Sequence, residues 1–237
     1  MCGRFTQHHD ANALTLRFDL TGMPPEITPR YNIAPQQTIG AITVTDTGRR
    51  LEGFQWGLIP SWAKDPAIGQ KMINARSETL AEKPSFRTAL VRRRCLIPAD
   101  GFYEWLRRGD GSRDPVHFRL LGAEAFAFAG LWEEWHNPET NTPLQRNAPE
   151  GTALRTCTII TTSANNTVGR VHDRMPVILT RDAESLWLDD TVRDTDRLRA
   201  LLKPYPDDAM ESFAVSRCVN SVKNEGVELL ATENATA

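Results

Sequence analysis

The residues best suited to chemistry are Cys2, Asn74, Glu104 and His172. Cys2 follows Met1 and precedes Gly3, a small-residue context in which an initiator methionine is generally removed. A chain trimmed in this way begins with an α-amine and a thiol on adjacent carbons, a 1,2-aminothiol that no internal cysteine possesses. An α-amine has a reference pKa near 8 against about 10.4 for lysine, so at neutral pH it is richer in the nucleophilic form by about two orders of magnitude. With an aldehyde it forms a Schiff base, and the thiol can then close onto the imine carbon to give a five-membered thiazolidine without metal or cofactor. The same cysteine also reads as an ordinary small apolar residue near a frayed end, so its meaning depends on companions elsewhere.

Three segments place polar residues where a β-rich core would not ask for them: Asn74 to Thr79, Asp100 to Trp105 and Val171 to Pro176. In a strand starting at Gly101, alternation puts Phe102, Glu104 and Leu106 on one face and Tyr103 and Trp105 on the other. A carboxyl among apolar neighbours has its pKa raised toward neutrality, the condition for both taking and returning a proton. A structural ion pair with an arginine is the alternative. His172 titrates near neutral pH and can hand a proton to a sugar oxygen or an imine nitrogen, or it is a loop histidine bonded to backbone. Asn74 either orients the Cys2 amine or caps a helix. His8, His9, His117 and His136 share no metal-ligand spacing and Cys2, Cys95, Cys157 and Cys218 form no C-x-x-C pair, so no metal is expected and the thiols read as reduced.

Arg4, Arg76 and Arg174 each lie within two residues of a proposed catalytic position and bring local positive charge to a chain of formal net charge −2. Such a cluster can clamp phosphates. Trp62, among turn residues, and Trp105, beside Glu104, are placed to stack on unpaired bases, worth roughly 1–3 kcal/mol each; both also read as core aromatics. Trp56, Trp132 and Trp187 read as core.

These residues require a scaffold, and the 237 residues, 40% hydrophobic and 24% charged, suit a soluble globular chain. Strands are expected at 38–45, 51–57, 94–99, 101–107, 115–121, 126–135, 156–162 and 176–180, with a hairpin turn at GDGSRD. Helices are expected near 10–18, in PSFRTALVRR with Ser85 near its start, from 181 and from 195. The result is one α+β domain over residues 1–237, with a polar surface loop at about 136–152 and a short tail at 232–237. No apolar run approaches the roughly 18 residues of a membrane span and no signal segment is evident, so a cytoplasmic protein is expected.

The segments MCGRF, RYNIAP, WGLIPSWA, NARSET, LIPADGFYEW, AGLW, ITTSAN, VHDRMPVIL and VSRCVNSVKNEGVELL, in this order from residue 2 to about 231, resemble the SRAP (SOS response-associated peptidase) family. The resemblance implies a compact α+β fold with a mainly antiparallel, barrel-like β core and short flanking helices. It also implies single-stranded DNA binding and crosslinking to abasic sites through a thiazolidine at Cys2, by a monomer in the bacterial cytoplasm or on its nucleoid. By matching motifs, Asn74 positions the terminal amine, Glu104 is the acid/base and is associated with release or propeptide removal, and His172 acts on the sugar. Arg4, Arg76 and Arg174 are implied backbone-phosphate contacts, and Pro35, Trp62 and Trp105 a wedge or stacking surface around the lesion. Some members carry a second Trp after the position of Trp62, where this chain has Ala63. General proteolysis finds no support beyond loss of Met1. Two rivals remain: an N-terminal-nucleophile glutamine amidotransferase, which also begins Met-Cys-Gly but whose other segments are missing here, and a non-covalent single-strand binding module in which Cys2 is incidental.

Overall fold

A computed structural model of the chain describes residues 2–22, 26–136 and 153–232. In chain order the strands and helices are β1 (Phe5–Gln7), α1 (Ala11–Phe18), β2 (Arg30–Ile33), β3 (Thr38–Thr45), β4 (Gly48–Trp56), β5 (Asn74–Arg76), α2 (Arg87–Arg92), β6 (Arg94–Ala99) and β7 (Gly101–Arg107), followed by β8 (Arg113–Leu120), β9 (Phe126–Trp135), β10 (Leu154–Ser163), α3 (Asn166–Gly169), β11 (Arg174–Pro176), β12 (Ile178–Leu179), α4 (Arg181–Leu188), α5 (Thr195–Arg199) and β13 (Met210–Ala214). The expected loop at 136–152 and tail at 232–237 lie, apart from His136 and Thr232, outside the described residues.

Strands β10, β4, β3, β6 and β9 pair in sequence, and β9 pairs again with β10, closing a five-stranded barrel. The expected mainly antiparallel, barrel-like core is therefore present; the exceptions are β4 and β5, both parallel to β10. A second, five-stranded sheet runs β13-β8-β7-β1-β2. The strand wall is apolar on both faces. On β6, Cys95, Ile97 and Ala99 join a core with Phe5, Phe102 and Phe118 of the second sheet, while Leu96 turns to another core with Leu14 and Phe18 of α1 and Trp187 of α4. Strand β9 alternates likewise, Phe126 and Phe128 against Ala127 and Ala129, the period of two expected of a pleated strand.

The helices are short and locally specified. The Asp10 carboxylate caps α1 by accepting from the Ala13 N–H at 2.8 Å, and Leu14 and Phe18, four residues apart, form its buried stripe. Ser85 does not cap α2, whose N-cap position is Phe86 with no side-chain bond. The expected strand 176–180 is interrupted at Val177, where the chain changes partner: the Val177 N–H donates to Ile160 O of β10 and its carbonyl accepts from Ala129 of β9.

Candidate functional site around Cys2

Cys2 lies just ahead of β1 and is fully buried, in the core that holds Phe5, Trp56 and Ile159. Strand β1 sits between β2 and β7, with Phe5 opposite Phe102 and Thr6 opposite Gly101. The register continues one residue further, where the Tyr103 N–H donates to Arg4 O at 3.0 Å. This pairing carries the start of the chain along the strand that bears Glu104.

Glu104 is 4% exposed. The expected face alternation of β7 holds, since Phe102 belongs to the Cys2 core and Tyr103 and Trp105 to a separate cluster. Burial raises the pKa of Glu104 from its ordinary 4.5, and the charge of His172 opposes the rise. Burial also drives the Cys2 thiol far above its ordinary value, with the negative charge of Glu104 adding to the effect. Cys2 thus lies in the field of Glu104, and Glu104 in that of His172.

Asn74 is not a helix cap. It opens β5, opposite Ile159 of β10, and its Nδ2 donates to Cys2 O at 2.7 Å. Its Oδ1 is buried and accepts no hydrogen bond among the described residues. Trp56, expected only as core, also donates from its indole to Ile73 O at 2.8 Å and so fixes the backbone immediately before Asn74. Nothing in the local sequence signals that contact.

His172 follows α3, and its N–H donates to Val168 O at 3.0 Å. Its Nδ1 accepts from the Arg174 N–H at 3.0 Å, an arrangement that places the proton of a neutral ring on Nε2; a proton on Nδ1 would instead face Asp173 Oδ1, 2.9 Å away. Arg76 and Arg174 flank the end of β10, opposite Thr161 and Ser163 respectively. They are not equivalent. Arg76 is exposed and no hydrogen bond or ion pair holds its guanidinium among the described residues. Arg174 is held by both oxygens of Glu78 at 2.6 and 3.0 Å and donates to Thr161 O at 2.7 Å. Arg4 donates to Asn32 Oδ1 at 2.6 Å and to Val219 O at 2.9 Å, and lies over the Trp105 ring.

Trp62 is 60% exposed. Its neighbour Ala63 is buried against Ile59, Trp135 and Leu154, and its carbonyl accepts from the Trp135 indole at 2.6 Å. Pro35 is half-buried in the turn between β2 and β3, followed by Gln36 at φ 68°. Trp56 and Trp187 are fully buried and Trp132 partly so, as core aromatics.

His8 and His9 have no role by sequence spacing, yet the fold brings both to Asp100. The Nδ1 atoms lie 2.9 and 3.1 Å from its carboxylate, and the His8 N–H donates to Oδ2 at 2.6 Å. Among the described residues this is the one group whose ligand atoms, all within 4.8 Å of one another, could hold a metal ion. Its charges already answer one another. Burial pushes the Asp100 pKa up, but bonds from His8, His9 and Thr6 outweigh it and hold the group far below its ordinary 3.8; the bond to Asp100 raises His9 above 6.5. The depressed carboxylate stabilises the fold above pH 3.8 and less as pH falls, and the raised imidazole stabilises it below pH 6.5 and less as pH rises through its folded pKa. Asp100→Ala is expected to cost about 2 kcal/mol in urea unfolding at pH 5.5, because it strands a half-buried N–H and an imidazole, and less at pH 8.5.

The model of the family described as SOS response associated peptidase (SRAP) matches residues 1–222. The chain is 48% identical over 232 residues to "Abasic site processing protein YoqW" of Bacillus subtilis (strain 168), covering 97% of this chain and 99% of the relative. It is 34% identical over 233 residues to "Abasic site processing protein HMCES" of Gallus gallus, covering 85% of this chain and 66% of that protein. A crystal structure of a protein from Bacteroides thetaiotaomicron superposes with a TM-score of 0.85 over 98% of this chain and all of that one, at 24% identity, a likeness of fold. The chain belongs to the SOS response associated peptidase (SRAP) family.

Proposed function

We propose that this protein binds single-stranded DNA and, once Met1 is removed, bonds covalently to abasic sites through Cys2, shielding the lesion. The observation that carries the reading is the convergence of Asn74 and Glu104 on Cys2, with His172 coupled to Glu104. Relatives named as abasic site processing proteins support the substrate class. The amine of Cys2 adds to the C1 aldehyde of the open-chain sugar, and the carbinolamine loses water to give the imine. The sulfur then attacks the imine carbon, the S–H proton passes to nitrogen, and the product is a thiazolidine plus one water.

The residues divide the work by position. A thiol kept protonated by burial does not compete for the aldehyde, so the amine reacts first. The free Oδ1 of Asn74 can accept from that amine, Glu104 takes and returns the protons, and His172 serves the sugar oxygen during ring opening and reversal. Arg4 and Arg76 supply the phosphate-facing charge, and the exposed Trp62 ring, Pro35 and Trp105 the wedge or stacking surfaces. No helix among the described residues is long and apolar enough to cross a membrane.

The test is incubation of the full chain with a single-stranded oligonucleotide carrying one abasic site, followed by denaturing electrophoresis. A retarded band that survives denaturation supports the reading. Glutamine hydrolysis without such a band would replace it by the amidotransferase reading, and retention only on native gels by the non-covalent one. Arg76→Ala is expected to weaken binding of undamaged strand about fivefold and to reduce the slope of log affinity against log salt by about 0.7. Arg174→Ala is expected to change that slope less, because Glu78 already balances its charge.

A further inference from the structure

The segment from Val215 to Leu230 contains the motif VSRCVNSVKN, which the proposed chemistry leaves without a role. It runs as a strap over the face of β7 opposite Glu104. Val215 and Val219 are buried against Tyr103, with Trp105, Phe213 and Leu230 packed around them. The strap contains only short 3-10 turns at Arg217–Asn220 and Val227–Leu230, so its course is set by what holds it.

Asn32 of β2 is the principal clasp. Its Nδ2 donates to Ser221 O at 2.9 Å and Asn224 O at 2.8 Å, with Val219 O at 3.3 Å sharing a proton, and its Oδ1 accepts from Arg4. Arg4 donates in turn to Val219 O at 2.9 Å. At the other edge, Trp105 donates from Nε1 to Asn220 Oδ1 at 2.7 Å. The guanidinium of Arg4 sits 5.7 Å from the centroid of that ring. The cation two residues from Cys2 and the indole one residue from Glu104 are therefore oriented by the strap as well as by their own strands.

We propose that the strap is a positioning element for the reacting strand: Asn220 fixes the plane of Trp105, and Asn32 fixes Arg4, so that phosphate and base meet a preformed surface. The inference rests on the proposed DNA reaction and assigns Asn32 and Asn220 as positioning residues that touch neither the sugar nor the sulfur. An indole freed from Asn220 turns about its side-chain bonds and loses part of its stacking, which weakens capture of the strand and leaves the bond-forming step alone.

The experiment measures adduct formation by the full chain over a range of concentrations of the abasic oligonucleotide, giving the rate at saturation and the concentration at half-saturation. Asn220→Ala is at an exposed position and Trp105→Phe keeps an aromatic, though smaller, ring while removing the N–H, so both variants should fold; thermal unfolding checks this. Each is expected to raise the half-saturating concentration about fivefold with the saturated rate within about twofold of wild type, and the double variant to be no worse than either single one. Asn32→Asp, which keeps the acceptor for Arg4 and loses the donor to the strap, is expected to show the same division. Unchanged half-saturation in Asn220→Ala and Trp105→Phe, or a fall in the saturated rate alone, overturns the strap's role while leaving the crosslinking reading intact. Failure of the wild type to form any adduct defeats the underlying reaction instead.

Discussion

Replacing Cys2 by alanine is expected to remove the proposed denaturation-resistant adduct, a loss of at least about a hundredfold, while leaving affinity for undamaged single strand within about twofold. The two nucleophiles of an aminothiol are separable by this variant. Cys2→Ala keeps the α-amine and Asn74, so a Schiff base still forms and borohydride still traps it; without reduction the imine hydrolyses and no band survives. Cys2→Ser retains an oxygen in place of sulfur and is expected to behave like alanine on an unreduced gel. A persistent band from Cys2→Ala without borohydride would show that another residue carries the bond. Intact mass of the active wild type should lack Met1, and an active protein retaining it would contradict the mechanism. Because Cys2 is fully buried with Phe5, Trp56 and Ile159, alanine also leaves a small cavity. Its cost of about 1 kcal/mol is too small to unfold the chain.

Glu104→Gln is expected to slow both formation and reversal of the adduct by about a hundredfold, the usual contribution of a placed acid/base, with strand affinity nearly unchanged. It should also make the fold more stable near neutral pH. The pKa of Glu104 is raised on folding, chiefly by burial. A carboxyl raised in this direction contributes fully below its unfolded value of 4.5 and destabilises increasingly as pH climbs through the folded value. Glutamine, neutral at every pH, does not suffer this loss. Chemical denaturation should therefore find the variant ahead of wild type at pH 8 and the difference closing toward pH 4.5. A variant less stable than wild type at pH 8 would mean that the carboxylate's partners outweigh its burial, making Glu104 a structural ion pair.

The sequence made the long strands legible because their signal is local. Strands β3, β6, β7 and β9 begin and end where alternation and flanking turn residues place them. Strands β1, β2, β5 and β13 escaped notice because they are three to five residues long and partly polar, and exist only through partners far along the chain. The site divides in the same way. The burial of Glu104 follows from alternation along one strand, and its membership with Cys2 and Asn74 in one expected site is implied by motif resemblance. The tie between Arg174 and Glu78 spans 96 residues and that between His9 and Asp100 spans 91, so neither leaves a local trace. The three arginines looked alike in sequence; their neighbours make Arg76 available, Arg174 neutralised and Arg4 a shared donor.

The position of Cys2 beside β7 has a consequence for how the protein is made. Cys2 lies at the start of the sequence, but the groups placed around it come from residues 74 and 104, His172 acts on Glu104, and the segment that clasps Arg4 comes from residues 219–224. Closing such long loops is slow compared with forming helices or hairpins. During synthesis the surroundings of Cys2 are therefore complete only when nearly all of the polypeptide has emerged.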